Sequence, residues 1–130
     1  MEMILASHGT LASGMKSAVE MIIGTADFIE CYDLDEYKMP STIFEIIKNV
    51  EDKIIITDIF GGSVNNSLLR LAEKNLLITG MNLGLVLELC FHRNDADLKE
   101  NVKKIITKTN RYICFVNDEI KECEGGDNLW

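Results

Sequence analysis

Proline is almost missing from this chain: Pro40 is the only one in 130 residues. No proline-rich or low-complexity linker divides the sequence, and no internal repeat is visible, so one domain over residues 1–130 is expected. The four cysteines, Cys31, Cys90, Cys114 and Cys123, include no C-x-x-C pair. The first three lie in apolar runs and read as buried thiols of a reducing compartment, not as a disulfide frame or a zinc site. No metal and no cofactor are therefore expected. No apolar run reaches membrane-spanning length, and no charged segment followed by a long apolar one opens the chain. A cytoplasmic protein is the expectation. Basic residues are scarce as well: 13 Lys and Arg stand against 21 Asp and Glu, a net charge of −8. Such a surface repels phosphate backbones, which argues against a nucleic-acid partner and is compatible with a basic protein one.

Hydrophobic residues, at 47%, suffice for a core. They fall into alternating strand-like and helix-like segments. Met1 to Ser7 reads as a first strand, apolar enough to be central in a parallel sheet. Leu11 to Ile23 reads as a helix with Leu11, Met15, Ala18, Val19, Ile22 and Ile23 on one side and Gly24 as its stop. Phe28 to Leu34 is a second strand, and Pro40 closes the loop after it. Thr42 and Glu45 have capping-box spacing for a helix to about Val50. The β-branched run Lys53 to Asp58 is the clearest strand. A helix from about Val64 to Lys74, a strand from Leu76 to Met81, an apolar helix from Leu83 to Phe91 and another from Asp95 follow. Leu98, Val102, Ile105 and Ile106 form the inner face of that last helix. Arg111 to Val116 reads as a final strand, Asn117-Asp118 as a turn, and Gly125 to Asn128 as a loose tail. Strand and helix in alternation imply an α/β, doubly wound, mostly parallel sheet with helices on both faces, here in the order 2-1-3-4.

In that order the first and third strands are neighbours about 4.8 Å apart. One ends at His8 and the other at Asp58. Ligands of open α/β sheets bind at these carboxyl ends. A carboxylate beside an imidazole can hold one ring N–H, leaving the other nitrogen as a nucleophilic lone pair. Gly61-Gly62-Ser63 adds a turn that lets backbone approach closely, with a hydroxyl and N–H groups to cradle an anion. Together these parts fit phosphoryl transfer to histidine. Each has a plainer reading: His8 as a strand-end turn residue, Asp58 as a helix cap, the glycines as an ordinary turn. His92, before Arg93-Asn94-Asp95, reads as a surface turn residue.

Ala6-Ser7-His8-Gly9 with Ala12 and Gly14, then Thr57-Asp58-Ile59-Phe60-Gly61-Gly62-Ser63-Val64-Asn65, then Ile78-Thr79-Gly80-Met81-Asn82-Leu83, resemble the IIA component of the mannose family of the PEP-dependent sugar phosphotransferase system. The resemblance implies that His8 carries a phosphoryl group, that Asp58 hydrogen-bonds it, and that Gly61, Gly62 and Ser63 receive the phosphate. It further implies a phosphocarrier that is charged by phospho-HPr, passes the group to a IIB component and serves a membrane IIC/IID permease indirectly. It implies a homodimer that exchanges a C-terminal antiparallel edge strand; the apolar run Tyr112 to Val116 supplies the candidate. Val64 and Gly84 stand where the family often has proline, a departure that bears on loop shape and sugar class.

Other readings are ranked lower. The phosphotransfer subunit of PEP-dependent dihydroxyacetone kinase shares the fold and the Ser-His start but usually carries Met-Gly-Ser at the turn. A response-regulator receiver needs an acidic pair after the first strand to hold Mg²⁺, where this chain has Ser7-His8. A flavodoxin-like binding domain needs a larger cofactor loop. A non-catalytic, regulatory IIA-like domain is the last alternative; the chain's own Met1 favours a free-standing carrier.

Overall fold

The computed structural model describes residues 1–122. Strands β1 (Met3–His8), β2 (Ile29–Leu34), β3 (Ile54–Thr57) and β4 (Leu76–Thr79) form one parallel sheet in the order β2-β1-β3-β4. The chain enters this sheet at its middle and winds outward both ways, so β1 and β3 are central. Every residue of β3 is buried, as are Met3 to Ser7 of β1, which explains their unbroken apolar runs.

Because side chains alternate along a strand, the sheet makes two cores. Met3, Leu5, Ile54, Ile56 and Ile78 face α1 (Leu11–Ile23), α4 (Leu83–His92) and α5 (Leu98–Asn110). Ile4, Ala6 and Ile55 face α2 (Ser41–Ile47), α3 (Ser63–Ser67) and the 3-10 turn Leu69–Glu73. Helices cover both faces, as the alternating pattern implies. In α1 the buried stripe is Ala12 and Val19, with Met15 and Ile23 packed beside them; Leu11 and Ile22, expected inside, are exposed. Gly24 ends α1 by donating its N–H to the Glu20 carbonyl.

Several expectations need correction. The capping box at Thr42 and Glu45 does not form. Pro40 is already helical, so Thr42 lies inside the first turn, with its N–H bonded to the Met39 carbonyl, and Glu45 pairs with Lys48 instead. The single helix expected over Val64 to Lys74 is two short pieces. The Ser67 hydroxyl bonds the Val64 carbonyl and the Leu68 N–H the Asn65 carbonyl, which tightens the chain into the 3-10 turn.

The final strand expected over Arg111 to Val116 is absent. Tyr112 and Ile113 continue the helical winding by bonding the carbonyls of Thr109 and Asn110, and a short helix α6 (Val116–Glu122) follows. The Tyr112 ring lies against Gly84, and its hydroxyl donates to Glu88 at 3.1 Å, which holds this segment over α4 and away from a sheet edge. Asn117 and Asp118 belong to α6. Cys114 is exposed and Cys31 half-buried; of the described cysteines only Cys90 is fully buried. His92 closes α4, half-buried, and bonds Asp95 through Nδ1 at 2.7 Å. Cys123 and the Gly125 to Asn128 tail lie outside the described residues.

Candidate functional site

Ala6 is opposite Thr57, so His8 and Asp58 leave the sheet together at its carboxyl end. The contact is direct: His8 Nδ1 and Asp58 Oδ2 are 2.6 Å apart, and the same oxygen accepts the His8 backbone N–H at 2.8 Å. The other oxygen, Oδ1, accepts the N–H of Ile59 at 2.9 Å. Burial alone would raise the carboxyl's pKa. The His8 amide, the His8 ring and the Ile59 amide outweigh it and hold Asp58 below its ordinary value of 3.8. Asp58 is thus ionised near neutral pH and can only accept hydrogen bonds. Nδ1 is then the nitrogen that keeps a proton, and in the neutral ring Nε2 carries the lone pair. Asp58 has a side chain only 9% exposed, whereas that of His8 is 51% exposed. The acid is fixed in the protein, and the ring it orients faces outward.

Nε2 meets Ser63 Oγ at 2.9 Å. With the tautomer set by Asp58, the serine hydroxyl donates to Nε2. Ser63 is the first residue of α3, and it follows a tight turn. Gly61 has φ of 78°, a left-handed conformation that side chains disfavour. At Gly62 an added Cβ would sit 2.7 Å from Ile59 Cγ2 and 3.8 Å from His8 Cε1. The glycines permit the turn itself, Gly61 by its backbone conformation and Gly62 by leaving room for Ile59, and the turn lies beside the ring. Asn66 secures it by donating to the Gly61 carbonyl at 3.2 Å. The five residues His8, Asp58, Gly61, Gly62 and Ser63 converge on one place.

Residues to which the sequence analysis assigned no role support this arrangement. The buried Ser7 hydroxyl accepts the Ala12 N–H at 2.8 Å and ties the start of α1 to the end of β1. Asp33 at the end of β2 accepts the Ser13 N–H at 3.0 Å. Beneath α3, Thr57 donates to Asn65 Oδ1 at 2.8 Å and accepts from the Thr79 hydroxyl at 2.8 Å. The sequence signal for Ser7, Asp33, Thr57 and Thr79 was position, each at the carboxyl end of a strand; Asn65, inside α3, had none of that kind. A cavity of about 340 Å³ opens over the site, lined by His8, Gly9 and Ser63 with Leu34, Asp35, Glu36, Lys38 and Pro40 of the loop after β2. Among the described residues no three His, Cys, Asp or Glu side chains converge as a metal site requires. No helix among them is long and apolar enough to cross a membrane.

An oriented imidazole with one free nitrogen, a hydroxyl beside that nitrogen and an open cavity above it can accept an electrophile of modest size. Similarity to known proteins bears on which. The family described as PTS system fructose IIA component matches over residues 2–106. A protein from Klebsiella pneumoniae described as a phosphoenolpyruvate-dependent sugar PTS permease is 28% identical, with 92% of this chain and 93% of that one covered and a TM-score of 0.79. A PTS IIA protein associated with the fucose utilization operon of Streptococcus pneumoniae is 25% identical, with 92% and 95% covered and a TM-score of 0.80. PTS component EIIA of Streptococcus agalactiae, 20% identical, shares the fold with a TM-score of 0.79 over 90% of this chain and 98% of that one. No curated protein matches. The family match spans the sheet and the convergent histidine, acid and turn, so the chain belongs to the PTS IIA family and is a IIA-type phosphotransfer component of a sugar phosphotransferase system.

Proposed function

We infer that the protein is a phosphocarrier that works through phosphohistidine, accepting a phosphoryl group from phospho-HPr on His8 Nε2 and passing it to a IIB component. The observation that carries this reading is the polarised ring: Nδ1 donates to an ionised Asp58 while Nε2 faces the cavity beside Ser63. In the forward step the Nε2 lone pair attacks phosphorus. The N–P bond forms as the donor's P–N bond breaks, and its electron pair returns to the donor nitrogen. The His8 ring gains positive charge while keeping its Nδ1 proton, and the Asp58 carboxylate offsets that charge at hydrogen-bond distance. Ser63 turns its hydroxyl from Nε2 to a phosphoryl oxygen, and the turn at Gly61 and Gly62 leaves room for the group. Transfer to IIB reverses the sequence. The reading locates this work in the cytoplasm, upstream of a IIC/IID permease.

The same reading includes a homodimer. The segment after α5 exposes Tyr112 at 51%, Ile113 at 76%, Phe115 at 65% and Val116 at 45%. A contiguous apolar stretch of this kind is normally covered, and a second copy of the chain is the economical cover. Light scattering on full-length protein and on a form ending at Asn110 tests it. Dimer for the first and monomer for the second is expected; a full-length monomer at micromolar concentration refutes it.

The phosphocarrier reading is tested by intact mass after incubation with PEP, Enzyme I and HPr. Wild type should gain one acid-labile phosphoryl group and His8→Ala none. An unchanged gain in His8→Ala overturns the assignment.

A further inference from the structure

The cavity over His8 poses an electrostatic problem. An incoming phosphoryl group is anionic, and two carboxylates, Asp35 and Glu36, line the same cavity. One cation lines it with them, Lys38. Lys38 is placed by its own loop: its backbone N–H bonds the Asp35 carbonyl at 3.0 Å, and the Asp35 carboxylate in turn accepts the Tyr37 N–H at 2.9 Å. Lys48, Lys53, Lys74 and Lys108 each pair with a glutamate; Lys38 has no such partner among the described residues. It is an exposed residue with a flexible stem, among those that line the cavity over His8.

We propose that Lys38 is a catalytic residue of this phosphocarrier, the cation that contacts the phosphoryl oxygens as the group moves onto and off His8 Nε2. The proposal rests on the phosphohistidine reading and adds a residue to it. Ser63 and the glycine turn approach the group from the β3 side; Lys38 approaches it from the loop after β2, across the cavity. Its charge offsets Asp35 and Glu36, and its reach tolerates the displacement of the group between donor, His8 and acceptor. The Asp35 carboxylate also holds the loop through the Tyr37 N–H, so Glu36 is the carboxylate whose charge can be removed without loosening it.

Phosphoramidate tests this without a protein donor. The Nε2 lone pair attacks the phosphorus of its zwitterion, in which the nitrogen already carries three protons; the P–N bond breaks, neutral ammonia leaves with that electron pair, and the ring ends as a phosphorylated imidazolium still bonded to Asp58. A donor this small has no docking surface, so a residue that only steers a protein partner does not affect the rate. Phosphohistidine formation is followed on wild type, Lys38→Gln, Lys38→Arg and Glu36→Gln, with circular dichroism to check the fold. Lys38→Gln should be slower by roughly twofold to fivefold, toward the upper end of the range for a solvent-accessible charge contact. Lys38→Arg should stay near wild type, Glu36→Gln should be faster, and added salt should narrow all the differences. Equal rates for wild type and Lys38→Gln, or an equal loss in Lys38→Arg, overturn the role of Lys38 alone. No phosphohistidine on wild type from either phosphoramidate or phospho-HPr overturns the underlying phosphocarrier reading, and Lys38 with it.

Discussion

Replacing Asp58 by asparagine separates charge from shape at the site. The carboxylate accepts three N–H groups: the His8 ring at 2.6 Å, the His8 amide at 2.8 Å and the Ile59 amide at 2.9 Å. An amide of the same size keeps one oxygen. If that oxygen takes the place of Oδ2, it still orients the ring, and the NH₂ group then opposes the Ile59 amide. Hydrogen bonding alone costs about 1–3 kcal/mol of stability for that unmatched donor. The larger effect is on transfer. Opposite unit charges about 4 Å apart attract by about 4 kcal/mol at an effective dielectric constant of 20. With the His8 side chain 51% exposed, water screens part of this. About 2–3 kcal/mol should remain, on the order of 10²-fold in rate at 1.36 kcal/mol per tenfold. Rapid-quench phosphorylation by phospho-HPr, with circular dichroism as the folding control, measures it. A folded Asp58→Asn protein that transfers at the wild-type rate would show that the acid only shapes the turn.

Further predictions follow from the same geometry. Because the folded pKa of Asp58 is depressed, its contribution to stability is full above the ordinary value of 3.8 and is lost as the pH falls through the lower folded value. Denaturation midpoints should therefore drop less between pH 5 and 3, roughly, in Asp58→Asn than in wild type; parallel curves would contradict the shift. Gly62→Ala forces Cβ against Ile59 Cγ2 and should slow transfer while the two cores stay folded, read as intact circular dichroism with reduced phosphorylation. Thr57→Val leaves the Asn65 amide oxygen without its donor and should cost about 1–3 kcal/mol in denaturant unfolding; an unchanged midpoint would show that the network carries no stability. Burial pushes the thiols of Cys31 and Cys90 up to about 11. In the folded protein, iodoacetamide near neutral pH should therefore leave Cys31 and Cys90 unmodified, read by peptide mass; rapid labelling of either would contradict the burial.

The sheet was readable from the chain because its residues have no alternative use. Ile54, Ile55 and Ile56 are β-branched and buried on both faces, and no helix face would bury all three. The meeting of His8 and Asp58 was readable for the same reason: strand order and strand ends follow from the alternation, and both residues stand at ends. What failed was local or depended on distant contacts. Pro40 started α2 two residues before the capping signal at Thr42. Leu11 and Ile22 have apolar side chains at plausible helical positions, but α1 is packed through the smaller Ala12 and Val19 stripe. Tyr112 to Val116 has strand composition, yet the ring of Tyr112 is held at Gly84 and Glu88, contacts 28 and 24 residues away that composition does not encode. The wall of the cavity from Asp35 to Pro40 was read only as a loop, because nothing local in Asp35, Glu36 and Lys38 shows that they line a cavity with a histidine.

The most direct test of the account is the ring atom that bears phosphorus. Protein labelled with ¹⁵N-histidine, phosphorylated by PEP, Enzyme I and HPr, reports each imidazole nitrogen separately in two-dimensional ¹H–¹⁵N spectra. Phosphorus coupling should appear at Nε2 of His8, with Nδ1 still protonated and bonded to Asp58. Coupling at Nδ1, or at His92, or at no ring nitrogen would contradict it.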